Sequence, residues 1–160
     1  MFSKKPVRML ARAGAVAALY FALSVAVPAL SFGAVQLRLG EALTLLPALM
    51  PEAALGLSVG CFFANFFFSP FGWLDAVIGT AATLAAGLLT AKIKRLVPAG
   101  IPPVVLNALL VPIVFLYNKT DTLYYINVLT IFLSQSIMVY AAALPLTYML
   151  KKAVPARFFE

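Results

Sequence analysis

The chain has 160 residues, 64% of them hydrophobic and 11% charged, with a mean hydropathy of +1.03, against roughly 25% charged residues in a soluble domain. That balance excludes an ordinary water-exposed globule, and the absence of histidine excludes His-ligated metal sites and His-assisted nucleophiles on this chain. The formal charge of +7 sits at the ends of apolar runs rather than along an exposed helix interleaved with aromatics, which argues against a nucleic-acid surface.

One crossing of the hydrocarbon layer takes about 20 apolar residues, so the length predicts an all-α, polytopic membrane protein: a single transmembrane domain over residues 1–160 with six transmembrane helices. Lys4, Lys5, Arg8 and Arg12 precede a first helix over about residues 13–30. A short link leads to a second helix over about 37–50, which Pro47 and Pro51 bend or end. Pro51-Glu52 reads as the start of a third helix, with proline in the first turn and an acid near the positive dipole end. That helix runs to about residue 68 and is closed by the turn Ser69-Pro70-Phe71-Gly72.

A fourth helix spans about 73–91, and the breakers Pro98, Gly100, Pro102 and Pro103, with Lys92, Lys94 and Arg95, predict a loop after it. A fifth helix over 104–117 is interrupted by Pro112. A polar link over 118–122 precedes a sixth helix over 124–150, which ends at Lys151, Lys152 and Arg157. Six crossings put both termini and the loop near residue 95 on one side, with ten of the twelve basic residues. The positive-inside rule makes that side cytoplasmic, N-in and C-in.

Helix faces sort the remaining residues. Ala11, Ala15, Ala18 and Ala22 recur at spacings of three and four in the first helix, and Ala13/Ala17 forms an overlapping pair. Small side chains let membrane helices approach closely, either within this bundle or against another membrane subunit. Gly56, Gly60 and Ala64 make a similar stripe on the third helix, read as internal packing. Cys61, the single cysteine, is a small packing residue with no disulfide partner in the chain.

Polar groups in hydrocarbon cost a few kcal/mol unless paired or hydrated, so the few present carry most of the functional information. Arg38, Glu41 and Thr44 are spaced three apart and share one face of the second helix. They form either a packing ion pair, Arg38 with Glu41, or one wall of a polar site. The topology brings Asn65, Trp73 and Asp75 toward the outer side, with Gln135 about three turns into the sixth helix and Asn107 nearer the cytoplasm. Together they can line an outward cavity for a small polar molecule. Taken singly, Trp73 also reads as an interfacial anchor, Asp75 as a helix cap, and Asn65 and Gln135 as interhelical glue. Glu41 and Asp75 lack an accompanying nucleophile, metal cluster or cofactor motif, so the expectation is a binding or transport subunit, not an enzyme, with no cofactor.

The run Val35-Gln36-Leu37-Arg38-Leu39-Gly40-Glu41-Ala42-Leu43-Thr44-Leu45-Leu46-Pro47, with Gly56-Leu57-Ser58-Val59-Gly60-Cys61, Ala64-Asn65, Trp73-Leu74-Asp75, Asn107-Ala108-Leu109 and Leu144-Pro145-Leu146, resembles the QueT family over nearly the full chain. The resemblance implies a substrate-binding (S) component of an energy-coupling factor (ECF) transporter in a bacterial cell membrane, taking up a queuosine precursor of the 7-deazaguanine class. It further implies an ECF transmembrane coupling subunit and two cytoplasmic ATPases as partners, met through an Ala-x-x-x-Ala face on helix one. Ala11, Ala13, Ala15, Ala17, Ala18 and Ala22 are the matching residues, and Gln36, Arg38, Glu41, Asn65, Trp73, Asp75, Asn107 and Gln135 are the expected substrate-binding set. The absence of a Gly-Lys-Ser/Thr phosphate loop agrees with ATP hydrolysis elsewhere. The rival readings are an S component for another vitamin or nucleobase, a stand-alone secondary transporter, and a purely structural membrane subunit. The second rival would carry inverted repeats or a continuous charged path, and the sequence has neither.

Overall fold

A chain this poor in polar side chains must satisfy its backbone internally, and every regular element among the described residues is helical. The computed structural model describes residues 4–32, 36–118 and 123–155; Val35, most of the expected link at 118–122 and Arg157 lie outside the described residues. In chain order come α1 (Lys4–Ala26), α2 (Pro28–Ser31), two 3-10 turns (Leu39–Leu43 and Leu46–Ala48), α3 (Ala53–Phe68), α4 (Trp73–Thr90), α5 (Leu96–Ala99), α6 (Ile101–Leu110), α7 (Pro112–Tyr117), α8 (Tyr124–Ile137), a π turn (Met138–Ala143) and α9 (Leu144–Ala153).

Among the described residues, four stretches are long and apolar enough to cross a membrane: Pro6–Ala26, Trp73–Thr90, Leu96–Tyr117 and Tyr124–Ala153. Two shorter apolar stretches are Leu39–Ala48 and Ala53–Phe68.

Proline explains most departures from the sequence reading. The stretch around Pro98–Pro103, expected as a loop, is helical from Leu96 onward. Pro102 sits in the first turn of α6, where its missing N–H would have had no intrahelical partner anyway. Pro145 occupies the first turn of α9. Its lost donor and bulky ring disturb the preceding turn, and the backbone there widens into the π turn over Met138–Ala143 without leaving the helical path.

The larger departure is the second segment. In place of one α-helix over 37–50, the chain makes two short 3-10 turns. Leu37 donates its backbone N–H to the Leu30 carbonyl at 3.0 Å, while Glu52 pairs with Arg12 at 3.1 Å. The segment therefore runs back along α1 through about 18 residues of helix, or about 27 Å at 1.5 Å per residue. From Leu37 to Glu52 an α-helix would rise only about 22 Å, whereas a 3-10 path at about 2.0 Å per residue covers about 30 Å. The tighter, longer path reaches; the α-helix falls short.

The helices on either side are held by close approach. Added Cβ atoms on Gly56 and Gly60 would collide with the carbonyls of Ala13 and Ala17, the latter at 2.6 Å, so α1 and α3 run side by side in the same direction. Gly87 faces Ala54 and Gly79 faces Asn65, which makes α4 antiparallel to α3. The last helix returns along α6: Gly100 lies against Val139 and Tyr140, and Tyr124 donates to the Leu109 carbonyl at 2.8 Å. The irregular segment is enclosed by these elements. Leu43 and Leu46 pack with Val16, Tyr20 and Leu57 on one side, and Leu45 packs with Ala99, Val104, Val139 and Ala143 on the other.

A branched side chain at Gly60 must push α1 off α3. Gly60→Val should lower the unfolding free energy by about 1–3 kcal/mol, the usual cost of overpacking, read as a lower melting temperature in detergent. A wild-type melting temperature would show that the two helices are not in contact there.

Candidate functional site

α1 presents two different faces. Val16, Tyr20 and Ser24, at spacings of four, are buried. Ala11, Ala15, Ala18 and Ala22 are exposed on the outward side. Ala13 and Ala17 do not belong to the outward stripe: they are half-buried, with their carbonyls against Gly56 and Gly60. Sequence spacing groups the six alanines together, and only the position of α3 separates the internal pair from the outward four.

The buried face of α1 meets the 3-10 segment at Gly40, where a Cβ would strike the Ser24 hydroxyl and lie 2.9 Å from the Tyr20 carbonyl. This tight contact brings the next residue, Glu41, onto Tyr20. The tyrosine hydroxyl donates to Glu41 Oε1 at 2.6 Å, with both residues almost completely buried. Arg38 flanks the 3-10 turn with an extended backbone, at φ −83° and ψ 116°, so the eclipsed three-apart spacing of such a turn does not extend to it. Of the two readings of this spacing, the mutual ion pair is not the one that forms; Arg38 pairs at longer range. Arg38 Nη2 donates to Asp75 Oδ2 at 3.1 Å, with side-chain exposures of 5% and 0%.

Gln36 accepts a weaker bond from the same Arg38 nitrogen at 3.4 Å. The guanidinium also lies 5.4 Å from the centre of the Phe32 ring, a cation–π distance. Gln36 is the one non-glycine position among the described residues with a left-handed backbone, at φ 48°. Such conformations cost about 1–3 kcal/mol and gather at functional sites.

α3 and α4 complete the wall. Gly79, one turn after Asp75, leaves room for the Asn65 amide, whose Nδ2 would be struck by any Cβ there. Asn65 Nδ2 donates to the Asp75 carbonyl at 3.0 Å. Cys61 accepts weak bonds from Asn65 and from the Thr83 hydroxyl, in keeping with its expected role as a small packing residue. Arg38 with Asp75, Glu41 with Tyr20, and Asn65 with Cys61 and the Asp75 carbonyl thus bring polar groups of α1, the irregular segment, α3 and α4 into one cluster.

The cluster is only half satisfied from within. Arg38 Nε, Glu41 Oε2, Asp75 Oδ1 and Asn65 Oδ1 are buried with no hydrogen-bond partner among the described residues. Each carboxylate thus has one oxygen engaged and one free. An unmet buried polar atom costs about 1–3 kcal/mol, more when charged, so four such atoms in one cluster call for a partner, such as an ordered water or a polar solute. The free set comprises three acceptors and one donor. It suits a solute that offers several hydrogen-bond donors and at least one acceptor.

Other expected residues stand elsewhere. Trp73 is 64% exposed at the start of α4. Asn107 and Gln135 are buried on α6 and α8, and no hydrogen bond among the described residues ties either to the cluster; Gln135 Oε1 is itself unpartnered. Tyr20, Ser24, Phe32 and Thr83 were not singled out from the sequence. The available signal was the pair Tyr20 and Ser24, four residues apart and the only hydroxyl side chains on α1.

Removing one partner of the ion pair and removing both have different consequences. Asp75→Ala strands a buried guanidinium and should destabilise the chain by about 3–5 kcal/mol, whereas Arg38→Met with Asp75→Leu should restore stability to within about 1–2 kcal/mol of wild type. Equal destabilisation by both variants in detergent melts would contradict a directly paired arrangement. Among comparisons with known proteins, residues 10–152 match the family model described as QueT transporter. No curated protein and no solved structure matches the chain. The chain belongs to the QueT transporter family.

Proposed function

We propose that this multi-pass membrane protein is the substrate-binding S component of an ECF-type transporter, capturing a queuosine precursor of the 7-deazaguanine class on the outer side of a bacterial cell membrane. Import would be driven by ATP hydrolysis on separate subunits. The observation that carries the reading is the set of unmet polar atoms on Arg38 and Glu41, in a buried non-α segment, and on Asn65 and Asp75, which α3 and α4 bring against it in an apolar bundle. Irregular backbone at membrane depth is tolerated where it is enclosed by protein or lines a cavity, and binding sites of membrane transporters often use it.

The chemistry matches in detail. The guanine-like edge offers adjacent N–H donors that one carboxylate accepts together; Glu41 is that carboxylate. Arg38 Nε donates to the ring carbonyl, and the Phe32 or Tyr20 ring supplies a flat wall. An aminomethyl ammonium on the ligand would find Asp75 Oδ1. Gln36 steadies Arg38, and Asn65 fixes the backbone of Asp75. Gln135 and Asn107, buried on α8 and α6 away from these bonds, remain candidates for contacts with a larger ligand, and Trp73 anchors the outer start of α4. No cofactor takes part.

Six crossings with both ends inside follow in this reading. The segment 36–50 is the second crossing and α3 the third, because Glu52 returns to the level of Arg12. Ten of the twelve basic residues then share the cytoplasmic side. The exposed face of Ala11, Ala15, Ala18 and Ala22 serves the coupling subunit, with a shallow groove of about 310 Å³ beside it, lined by Ala17, Ala18, Phe21, Gly60, Phe63 and Phe67 among others. A smooth face permits repeated docking as the whole subunit tilts between outward and inward positions.

Calorimetry with a 7-deazaguanine on the purified chain tests the site. Glu41→Gln should weaken binding roughly 10–150-fold, the worth of one charge-assisted hydrogen bond, and unchanged affinity would remove Glu41 from the site. Tight binding of another vitamin or nucleobase, with none of deazaguanines, would keep the role and change the cargo. The second face is tested separately: Ala15→Trp or Ala18→Trp should abolish uptake by the complete transporter and leave ligand binding by the isolated chain intact. Loss of both activities would contradict the division between the two faces of α1.

A further inference from the structure

At the basic end of the bundle, the turn after α4 and the last turn of α9 enclose a cleft of about 440 Å³, separate from the polar cluster, lined by Lys94, Arg95, Val97, Pro98, Tyr148 and Lys151 among others. The turn is fixed in place. The Thr90 hydroxyl donates to the Ala99 carbonyl at 3.0 Å, and the backbone N–H of Ile93 bonds to Thr90 at 3.0 Å.

Three cations from two distant parts of the sequence thus converge on one concavity with no acidic side chain among the described residues to neutralise them. Among the described residues the acidic side chains are Glu41 and Asp75, which lie in the buried cluster, and Glu52, which pairs with Arg12. Mutual repulsion of like charges disfavours this gathering unless an anion visits.

We propose that this cleft binds the phosphate of an anionic glycerophospholipid. A phosphodiester offers several acceptor oxygens to Lys94, Arg95 and Lys151 at once, and the Tyr148 ring suits the headgroup level of a bilayer. The lipid source is favoured over soluble phosphate by the cleft's surroundings. Val97, Ile101 and Met149 are 52%, 53% and 68% exposed, an apolar flank on which acyl chains can lie. A second cleft of about 430 Å³, lined by Tyr148, Met149, Lys151 and Lys152, adjoins the first through Tyr148 and Lys151. Basic pockets between transmembrane helices are common headgroup sites.

The test is native mass spectrometry of the full chain released from detergent and titrated with phosphatidylglycerol, phosphatidylcholine or inorganic phosphate. Wild type should retain phosphatidylglycerol in preference to phosphatidylcholine, and inorganic phosphate at equal concentration should not displace it. Lys94→Gln with Lys151→Gln should cut that retention about tenfold or more. Arg8→Gln with Lys92→Gln removes the same charge from exposed positions outside the cleft and should change it less than twofold. Equal loss in both pairs, or loss in neither, would overturn the proposal, and so would displacement by inorganic phosphate.

Discussion

Lipid offers no hydrogen bonds, and that constraint governs how this chain is arranged. A helix meets it alone. The segment from Gln36 to Met50 does not, because 3-10 turns broken at Thr44 and Leu45 leave backbone groups less regularly paired. It persists because other elements shield it: α1 on one side through Gly40, and α5, α6 and the π turn on the other through Leu45. Every other feature of the polar cluster follows from that shielding. Glu41 reaches Tyr20 because Gly40 permits contact, and Arg38 reaches Asp75 because the same segment passes α4.

A bundle held mainly by small residues would be simpler and more stable without ions in its centre, since a buried ion pair seldom outperforms apolar packing of the same volume. The pair Arg38–Asp75 and the bond from Tyr20 to Glu41 reduce the cost of burial without removing it, because each charged group keeps an atom unmet. In the proposed reading those remaining atoms receive the solute, while the bonds already made hold the cluster in shape. Preorganisation of this kind reduces the ordering cost that a ligand would otherwise meet on binding. The alanine-lined outer face of α1 has the opposite character, with no polar side chain among its four outward alanines. One helix thus carries a receptive interior surface and a smooth exterior one.

The helical class, the membrane setting and the turn at Ser69–Gly72 were legible in the sequence because they depend on composition and on local rules. The importance of Arg38, Glu41, Asn65 and Asp75 was also legible, since a charge or amide in an oily stretch needs a reason. Their pairing was not. Arg38 and Glu41 sit at ideal helical spacing for each other, yet the partner of Arg38 is 37 residues away, a choice set by how α4 packs. The second segment reads as a helix because its apolar content is high and its breakers are few. Its 3-10 form answers a length requirement imposed by the ends of α1 and α3, which no local pattern encodes. Likewise Pro98, Pro102 and Pro103 read as a loop, while their places in first turns make them compatible with helix. Tyr20 was hidden by the stripe of alanines around it.

The central claim is that the enclosed irregular segment receives the solute. Amide hydrogen exchange followed along the chain, with and without a saturating 7-deazaguanine, tests it most directly. The account predicts added protection concentrated in residues 36–50 and the first turns of α4, where the free atoms of Arg38, Glu41 and Asp75 gather. Protection confined to other helices, or none anywhere under saturating ligand, would contradict it.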